Sequence, residues 1–125
     1  MLYIDHHIEF DTTASINIKG LQASFGVRCK LLPLDAHKDL LGRWTGFKVN
    51  DHGVMEQIER PEGQPLLTDK DYIAAFLVSV NDLMDANGPV ASSPESIAKL
   101  LNVPGATAAI IQAYKSGYDE VDAKN

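Results

Sequence analysis

The side chains best suited to chemistry in this sequence are four histidines and a single cysteine. His6 and His7 are adjacent, so on a strand they point to opposite faces and do not readily share a metal ion. His37 and His52 fall in separate predicted elements, and the sequence contains no His-x-x-x-His or Cys-x-x-Cys spacing. The spacing therefore predicts no metal site.

Nucleophilic catalysis by a thiol would have to use Cys29, with a distant histidine as the base. Cys29 lies on the apolar side of an alternating pattern, where a thiol behaves as a small hydrophobic side chain. The glycines are scattered and form no phosphate-binding loop, so no cofactor is predicted. These patterns favour a non-enzymatic protein. They leave open a small hydrolase in which His6, His37 or His52 meets acidic side chains.

Four aromatic residues are candidates for contact with a partner protein: Trp44, Phe47, Tyr114 and Tyr118. Trp44 and Phe47 lie in a loop-like region, and the two tyrosines lie near the end of the last predicted helix. One interpretation is that all four close the hydrophobic core, because aromatic side chains dominate cores. The other is that some of them form a binding surface, where aromatic residues are enriched.

The charge balance is acidic, with a formal net charge of -6 over 125 residues. Nucleic-acid binding rests on clustered lysine and arginine, so this balance argues against a nucleic-acid partner. The first residues lack the basic region of a signal peptide, and the longest apolar stretch, residues 73–80, is too short to span a bilayer. We therefore expect no membrane association and a location in the cytoplasm.

The first third of the chain is typical of β-strands. Apolar residues alternate over residues 2–10, the polar cluster at 11–15 predicts a turn, and Ile16 and Ile18 indicate a short second strand. A bend is expected at Lys19-Gly20. The clearest alternation, over residues 22–31, predicts a strand of an antiparallel sheet that is covered on one face.

The rest of the chain is predominantly helical in pattern. Asp35 is the expected N-cap of a short helix that ends near Trp44, and residues 54–60 are compatible with one helical turn or a strand. Thr68 and Asp71 resemble a capping box for a helix of about four turns whose apolar stripe extends to Met84.

Turn and capping residues divide the remaining segment into two further helices. Asn87-Gly88-Pro89 is expected to terminate the long helix, and Ser93-Pro94 to begin the next one. In the last helix, Gly117 is the expected end. The last helix is expected to present one buried face, formed by Ala106, Ala109, Ile110, Ala113 and Tyr114.

Together these elements predict an α+β fold in which a small N-terminal antiparallel β-sheet packs against about four C-terminal α-helices. We expect a single domain over residues 1–125. Its strands should occupy residues 1–32 and its helices residues 33–118, with a frayed tail at 119–125.

The stretch from Leu67 to Tyr118, about half of the chain, resembles the phage and prophage tail assembly chaperones first described as a domain of unknown function. Members have an acidic helix, a Gly-Pro-Val-like turn, a Ser-Pro-Glu helix start, a Leu-Leu-x-x-Pro-Gly step and a helix ending in Ala-Tyr. The matching segments here are residues 69–73, Gly88-Pro89-Val90, Ser93-Pro94-Glu95, residues 100–105 and Ala113-Tyr114.

This resemblance implies a non-enzymatic protein that binds the tape measure protein, and possibly the tail tube protein, and keeps the tape measure soluble while the tube assembles. It is also compatible with a homo-oligomer, since a helper that coats a long filament acts in many copies. A structural virion component, such as a tail terminator or connector, is the alternative.

Overall fold

The computed structural model describes residues 8–60 and 63–124, and within them the expected α+β class is confirmed. The chain divides into two compact units, which are treated separately below: one includes residues 8–31 and 76–124, the other residues 32–60 and 63–75. The single domain over residues 1–125 stays a prediction. The elements are, in order, β1 Glu9–Ile18, β2 Leu21–Lys30, α1 Leu34–Thr45, β3 Phe47–Val49, β4 Met55–Gln57, α2 Asp69–Phe76, β5 Leu77–Asn81, β6 Leu83–Asp85, β7 Gly88–Val90, α3 Pro94–Leu101 and α4 Ala106–Lys124.

Strand β1 is one continuous strand, so the predicted turn at residues 11–15 is wrong. It pairs with β2 in an unbroken antiparallel register from Glu9↔Lys30 to Ile18↔Leu21. The polar residues at 11, 13 and 15 lie on the exposed face, while Ala14 and Ile16 are buried. The polar cluster is therefore the solvent side of a strand. The bend at Lys19-Gly20 is confirmed, because both residues have positive φ angles, 52° and 82°.

Strand β2 confirms the alternation expected for it, since Phe25, Val27 and Cys29 are all buried. Strand β2 lies at the centre of a three-stranded sheet in the order β1-β2-β5. Residues 1–7, which contain the predicted start of the first strand together with His6 and His7, lie outside the described part of the chain.

The long helix expected from Thr68 to Met84 is wrong in its second half. Helix α2 ends at Phe76, and the chain continues as β5, which pairs with β2 at Val27↔Val80 and Gly26↔Asn81. Valines 78 and 80 favour an extended backbone, and pairing with a distant strand outweighs the helical periodicity of the apolar residues. The capping box at the start of α2 is confirmed: Asp71 N–H donates to Thr68 Oγ1 at 3.1 Å.

The turn at Asn87-Gly88-Pro89 connects two strands and does not end a helix, as the sequence had suggested. Strands β6 and β7 pair at Leu83↔Val90 and Asp85↔Gly88. The Asp85 carboxylate accepts the N–H of Asn87 at 2.8 Å, and Gly88 adopts φ 114°. The helix start at Ser93-Pro94 is confirmed, with Ser93 as N-cap in a reciprocal capping box with Ser96.

Helix α4 passes through Gly117 and reaches Lys124, so the predicted helix end at Gly117 is wrong, while the frayed tail stays a prediction. The helix packs against β1 and β2. A Cβ at position 117 would lie 2.6 Å from Phe10 Cε2 and 3.3 Å from Thr12 Cβ. Glycine at this position therefore permits close helix–strand packing within the helix, and is not a stop signal.

The second unit begins with α1, whose N-cap is Pro33 and not the expected Asp35. Asp35 lies in the first turn, where its carboxylate accepts the N–H of Ala36 at 2.8 Å and complements the helix dipole. The helix ends at Thr45, and its C-cap Gly46 has a left-handed φ of 86°. For residues 54–60, where a helical turn and a strand were both open, the structure shows strand β4.

Candidate protein-binding surface

Of the four predicted partner-binding residues, Phe47 is the one with an exposed side chain, at 49%. It begins β3, which pairs with β4 at Phe47↔Gln57 and Val49↔Met55. Because cross-strand partners share a face and successive residues alternate, Phe47, Val49 and Met55 lie on one side of this hairpin. We refer to these three residues as the apolar hairpin face.

The apolar hairpin face is open to solvent. The exposed fractions are 49% for Phe47, 64% for Val49 and 67% for Met55, and the adjacent Val54 is 58% exposed. Full burial of a side chain of this size stabilises a complex by roughly 1.5–3 kcal/mol. Large apolar side chains grouped on one exposed face are typical of surfaces that bind other proteins.

The opposite side of the hairpin is polar. Lys48 and Glu56 are cross-strand partners, and their charged groups lie 3.5 Å apart. An ion pair this exposed contributes little stability. The two sides therefore differ sharply in chemistry, as expected for a hairpin with one solvated side and one side suited to contact with protein.

Side-chain hydrogen bonds of Asn50 hold the hairpin turn in place. Its amide oxygen accepts the N–H of His52 at 2.9 Å and of Val54 at 3.0 Å. Gly53 supplies the positive φ of 76° that the turn requires. At the other end of the hairpin, Ile58 N–H donates to the carbonyl of Gly46 at 3.0 Å. These bonds at both ends position the apolar hairpin face before any partner arrives.

Trp44 lies in the last turn of α1 and is only half-buried. Its indole Nε1 donates to Asp69 Oδ1 at 2.8 Å, and its ring centroid lies 4.8 Å from that of Tyr72. These contacts tie the start of α2 to α1 within the second unit. The structure thus places Trp44 in a packing role and leaves part of its ring accessible.

Tyr114 and Tyr118 lie in the core of the first unit, with exposed fractions of 0% and 4%. The ring of Tyr114 stacks on Phe76 with a centroid distance of 3.9 Å and on Phe10 at 6.1 Å. Tyr118 packs beside Tyr114 at 5.8 Å. For these two residues the binding-surface interpretation is corrected: they close the core and do not face a partner.

Val49 and Met55 were not identified from the sequence as binding residues. The signal that could have found them is the alternation of Phe47 and Val49 on one side of the turn residues at 51–53, with Met55 on the other. Three-residue strands are too short for that alternation to stand out from the surrounding polar sequence.

The cysteine is placed where ionisation is disfavoured. Cys29 has no exposed surface, and burial, with a smaller effect of the Asp11 carboxylate, raises its pKa from 9.0 to about 12. The thiol is therefore protonated at neutral pH, and a protonated thiol is a poor nucleophile.

The described histidines occupy different environments: His37 is buried in α1 and His52 lies exposed in the β3–β4 turn. His6 lies outside the described residues. Within residues 8–60 and 63–124, no three histidine, cysteine, aspartate or glutamate side chains are grouped so as to hold a metal ion.

Each helix in the described part of the chain is too short or too polar to cross a lipid bilayer. Comparisons with protein-family models, with curated proteins and with solved structures found no match to this chain.

Proposed function

We propose that this protein is a non-enzymatic phage or prophage tail assembly chaperone that binds the tape measure protein through the apolar hairpin face. The observation that supports the binding role is the exposure of Phe47, Val49 and Met55 on one side of a turn-stabilised hairpin. The tail-assembly role is supported by the resemblance over Leu67 to Tyr118 and remains a proposal.

The chemistry of such a partner suits this surface. A tape measure protein is long and largely helical, and a helix whose apolar stripe is exposed to water aggregates unless the stripe is covered. An amphipathic helix presents apolar side chains at successive turns and binds readily to an apolar surface. The hairpin covers only a short part of such a helix, so many copies of the chaperone would be needed along its length.

The acidic charge of the chain supports the second part of the proposed role, which is to keep the bound partner soluble. With a net charge of -6, each bound copy adds negative charge to the complex. Like-charged assemblies repel one another, which opposes aggregation of the coated partner. Binding thus depends on the apolar hairpin face, and solubility depends on the rest of the surface.

The test is co-expression of the full chain with a tape measure fragment that is insoluble alone. We expect the native protein to bring the fragment into the soluble fraction, and the Phe47→Ser/Met55→Ser variant to lose most of this effect. The matched control is Leu21→Ser/Met84→Ser, which removes two side chains that are 73% and 74% exposed elsewhere on the chain. The control should solubilise the fragment as well as the native protein does.

Two outcomes would count against the proposal. A fragment that stays insoluble with the native protein argues against the chaperone role itself. A fragment that is solubilised equally by native protein and by Phe47→Ser/Met55→Ser argues against the hairpin as the binding surface. Mass spectrometry of purified particles separates a chaperone, which should be missing from them, from a structural virion component, which should be present.

A further inference from the structure

The second unit contains a cavity of about 480 Å³ that shares only Val49 with the apolar hairpin face. Its walls come from α1, from β3, and from residues 58–60 and 64–65. This volume falls within the range of about 300–1,000 Å³ that is usual for small-molecule sites. The described residues that line it are Lys38, Asp39, Gly42, Arg43, Lys48, Val49, Ile58, Glu59, Arg60, Gln64 and Pro65.

The cavity is positively charged although the chain as a whole is acidic. Four of the eleven lysine and arginine residues line it, against two carboxylates. Lys38 and Arg43 form no ion pair or side-chain hydrogen bond within the described residues, even though Asp39 lies one helical turn before Arg43. These two cations are therefore available to contact a ligand, and a concave surface concentrates the electric field that they produce.

The other two cations that line the cavity, Lys48 and Arg60, have partners in the protein. Arg60 Nη1 donates to the carbonyl of Gln64 at 2.7 Å, and Lys48 lies 3.5 Å from the Glu56 carboxylate. A guanidinium group has further N–H donors beyond the one that Arg60 uses here. Arg60 can therefore keep this bond and still contact an anion.

Part of the lining is apolar. Val49, Ile58 and Pro65 supply hydrocarbon surface between the charged groups. At Gly42, an added Cβ would lie 3.5 Å from Ile58 Cγ2 and 3.4 Å from the carbonyl oxygen of Phe47. The absence of a side chain there keeps the space beside α1 open. Small-molecule sites commonly combine such apolar walls with a few polar groups that orient the ligand.

We propose that this cavity binds a small organic anion, with its phosphate or carboxylate group held by Lys38 and Arg43 and its apolar portion against Val49 and Ile58. The guanidinium of Arg43 supplies paired donors that match two oxygens of an oxyanion, and Lys38, five residues earlier in α1, adds a point charge from another part of the same cavity wall. This site shares Val49 with the apolar hairpin face but uses neither Phe47 nor Met55, so the Phe47→Ser/Met55→Ser variant tests the tape measure role separately.

The experiment is a ¹H–¹⁵N NMR titration of the full chain with phenyl phosphate and, in parallel arms, with benzoate, inorganic phosphate and phenol. We expect saturable amide shifts in residues 38–43, 48–49 and 58–60 with phenyl phosphate, with benzoate, or with both. Whichever of these two ligands has the lower dissociation constant identifies the preferred headgroup. Inorganic phosphate should bind the same residues more weakly, and phenol should produce no saturable shifts there.

The Lys38→Gln/Arg43→Gln variant should raise the dissociation constant about tenfold, because it removes two exposed charge contacts to the anion, and a tenfold change corresponds to about 1.4 kcal/mol. The matched control is Lys30→Gln/Lys70→Gln, which removes the same charge at exposed positions outside the cavity and should change it less than twofold. Preserved peak dispersion verifies that each variant is folded. Shifts that never saturate, shifts located elsewhere, equal binding of phenol, or equal weakening by both variants would each overturn the proposal.

Discussion

Gly117 lies inside α4, and we predict that replacing it with alanine destabilises the protein. Alanine normally stabilises a helix interior relative to glycine by about 0.8–1.0 kcal/mol. In this protein the added methyl group would lie 2.6 Å from Phe10 Cε2, 3.2 Å from Phe10 Cδ2 and 3.3 Å from Thr12 Cβ. All three atoms belong to β1, so the conflict is relieved only if the Phe10 ring or the strand moves.

The two opposing effects have different sizes. Inserting a methyl group into a packed interface typically costs about 1–3 kcal/mol. The ring of Phe10 is held by stacking against the buried Tyr114, which limits how far it can shift. Subtracting the gain in helix propensity leaves a net loss of about 1 kcal/mol for Gly117→Ala. For a chain of this length, such a loss lowers the melting temperature by about 3–5 °C.

Urea unfolding followed by far-ultraviolet circular dichroism measures this change in the free energy of unfolding. The decisive control is the same substitution in a Phe10→Ala background, where the ring no longer opposes the methyl group. There, Gly117→Ala should be neutral or stabilising. If Gly117→Ala stabilises the otherwise native protein, or destabilises both backgrounds equally, the close approach of α4 to β1 is not the reason for the glycine.

Two further predictions concern α3 and Cys29. Ser96→Ala removes a hydroxyl that donates to the carbonyl of Ala91 at 2.9 Å and accepts the N–H of Ser93 at 2.8 Å, so urea unfolding should show a loss of about 1–2 kcal/mol; an unchanged midpoint would contradict the capping role. Cys29 should resist a thiol reagent such as DTNB at pH 8 in the folded protein and react rapidly in urea. Burial raises the pKa of Cys29 in the folded protein from 9.0 to about 12, so the thiol ionises first in the unfolded state. The contribution of Cys29 to the free energy of unfolding is therefore fully present below about pH 9 and is lost between pH 9 and 12. Cys29→Ala should reduce this loss of stability at high pH. A stability profile identical to that of the native protein would contradict the raised pKa of Cys29.

Local signals in the sequence predicted part of the fold correctly. The alternation in β2, the bend at Lys19-Gly20 and the helix start at Ser93-Pro94 each depend on residues that are close together in sequence. Such features follow from backbone geometry and nearby hydrogen bonds. They therefore require no knowledge of the rest of the chain.

The errors occurred where distant residues decide the structure. Residues 77–81 have apolar side chains at helical spacing, but they pair with β2, which lies about fifty residues earlier in the chain. Gly26 leaves the space that the Asn81 side chain occupies beside it. Similarly, Gly117 terminates no helix because its role is set by Phe10. A single sequence does not reveal such pairings, since tertiary contacts override local propensity.

The candidate binding surface was predicted only in part, for a related reason. All four aromatic residues carried the same ambiguity between core and surface, and periodicity alone did not separate them. The structure buries Tyr114 and Tyr118 and exposes Phe47. Phe47 acquires its neighbours Val49 and Met55 through the hairpin register, which depends on the turn between the strands.

The most direct test of the proposed function is hydrogen–deuterium exchange of the full chain alone and in complex with a soluble tape measure peptide. We predict slower exchange across residues 47–57, with little change at the β1–β2 turn, where Leu21 is also exposed. Slower exchange confined to residues 18–24, or the same exchange rates with and without the peptide, would contradict the assignment of the apolar hairpin face as the binding surface.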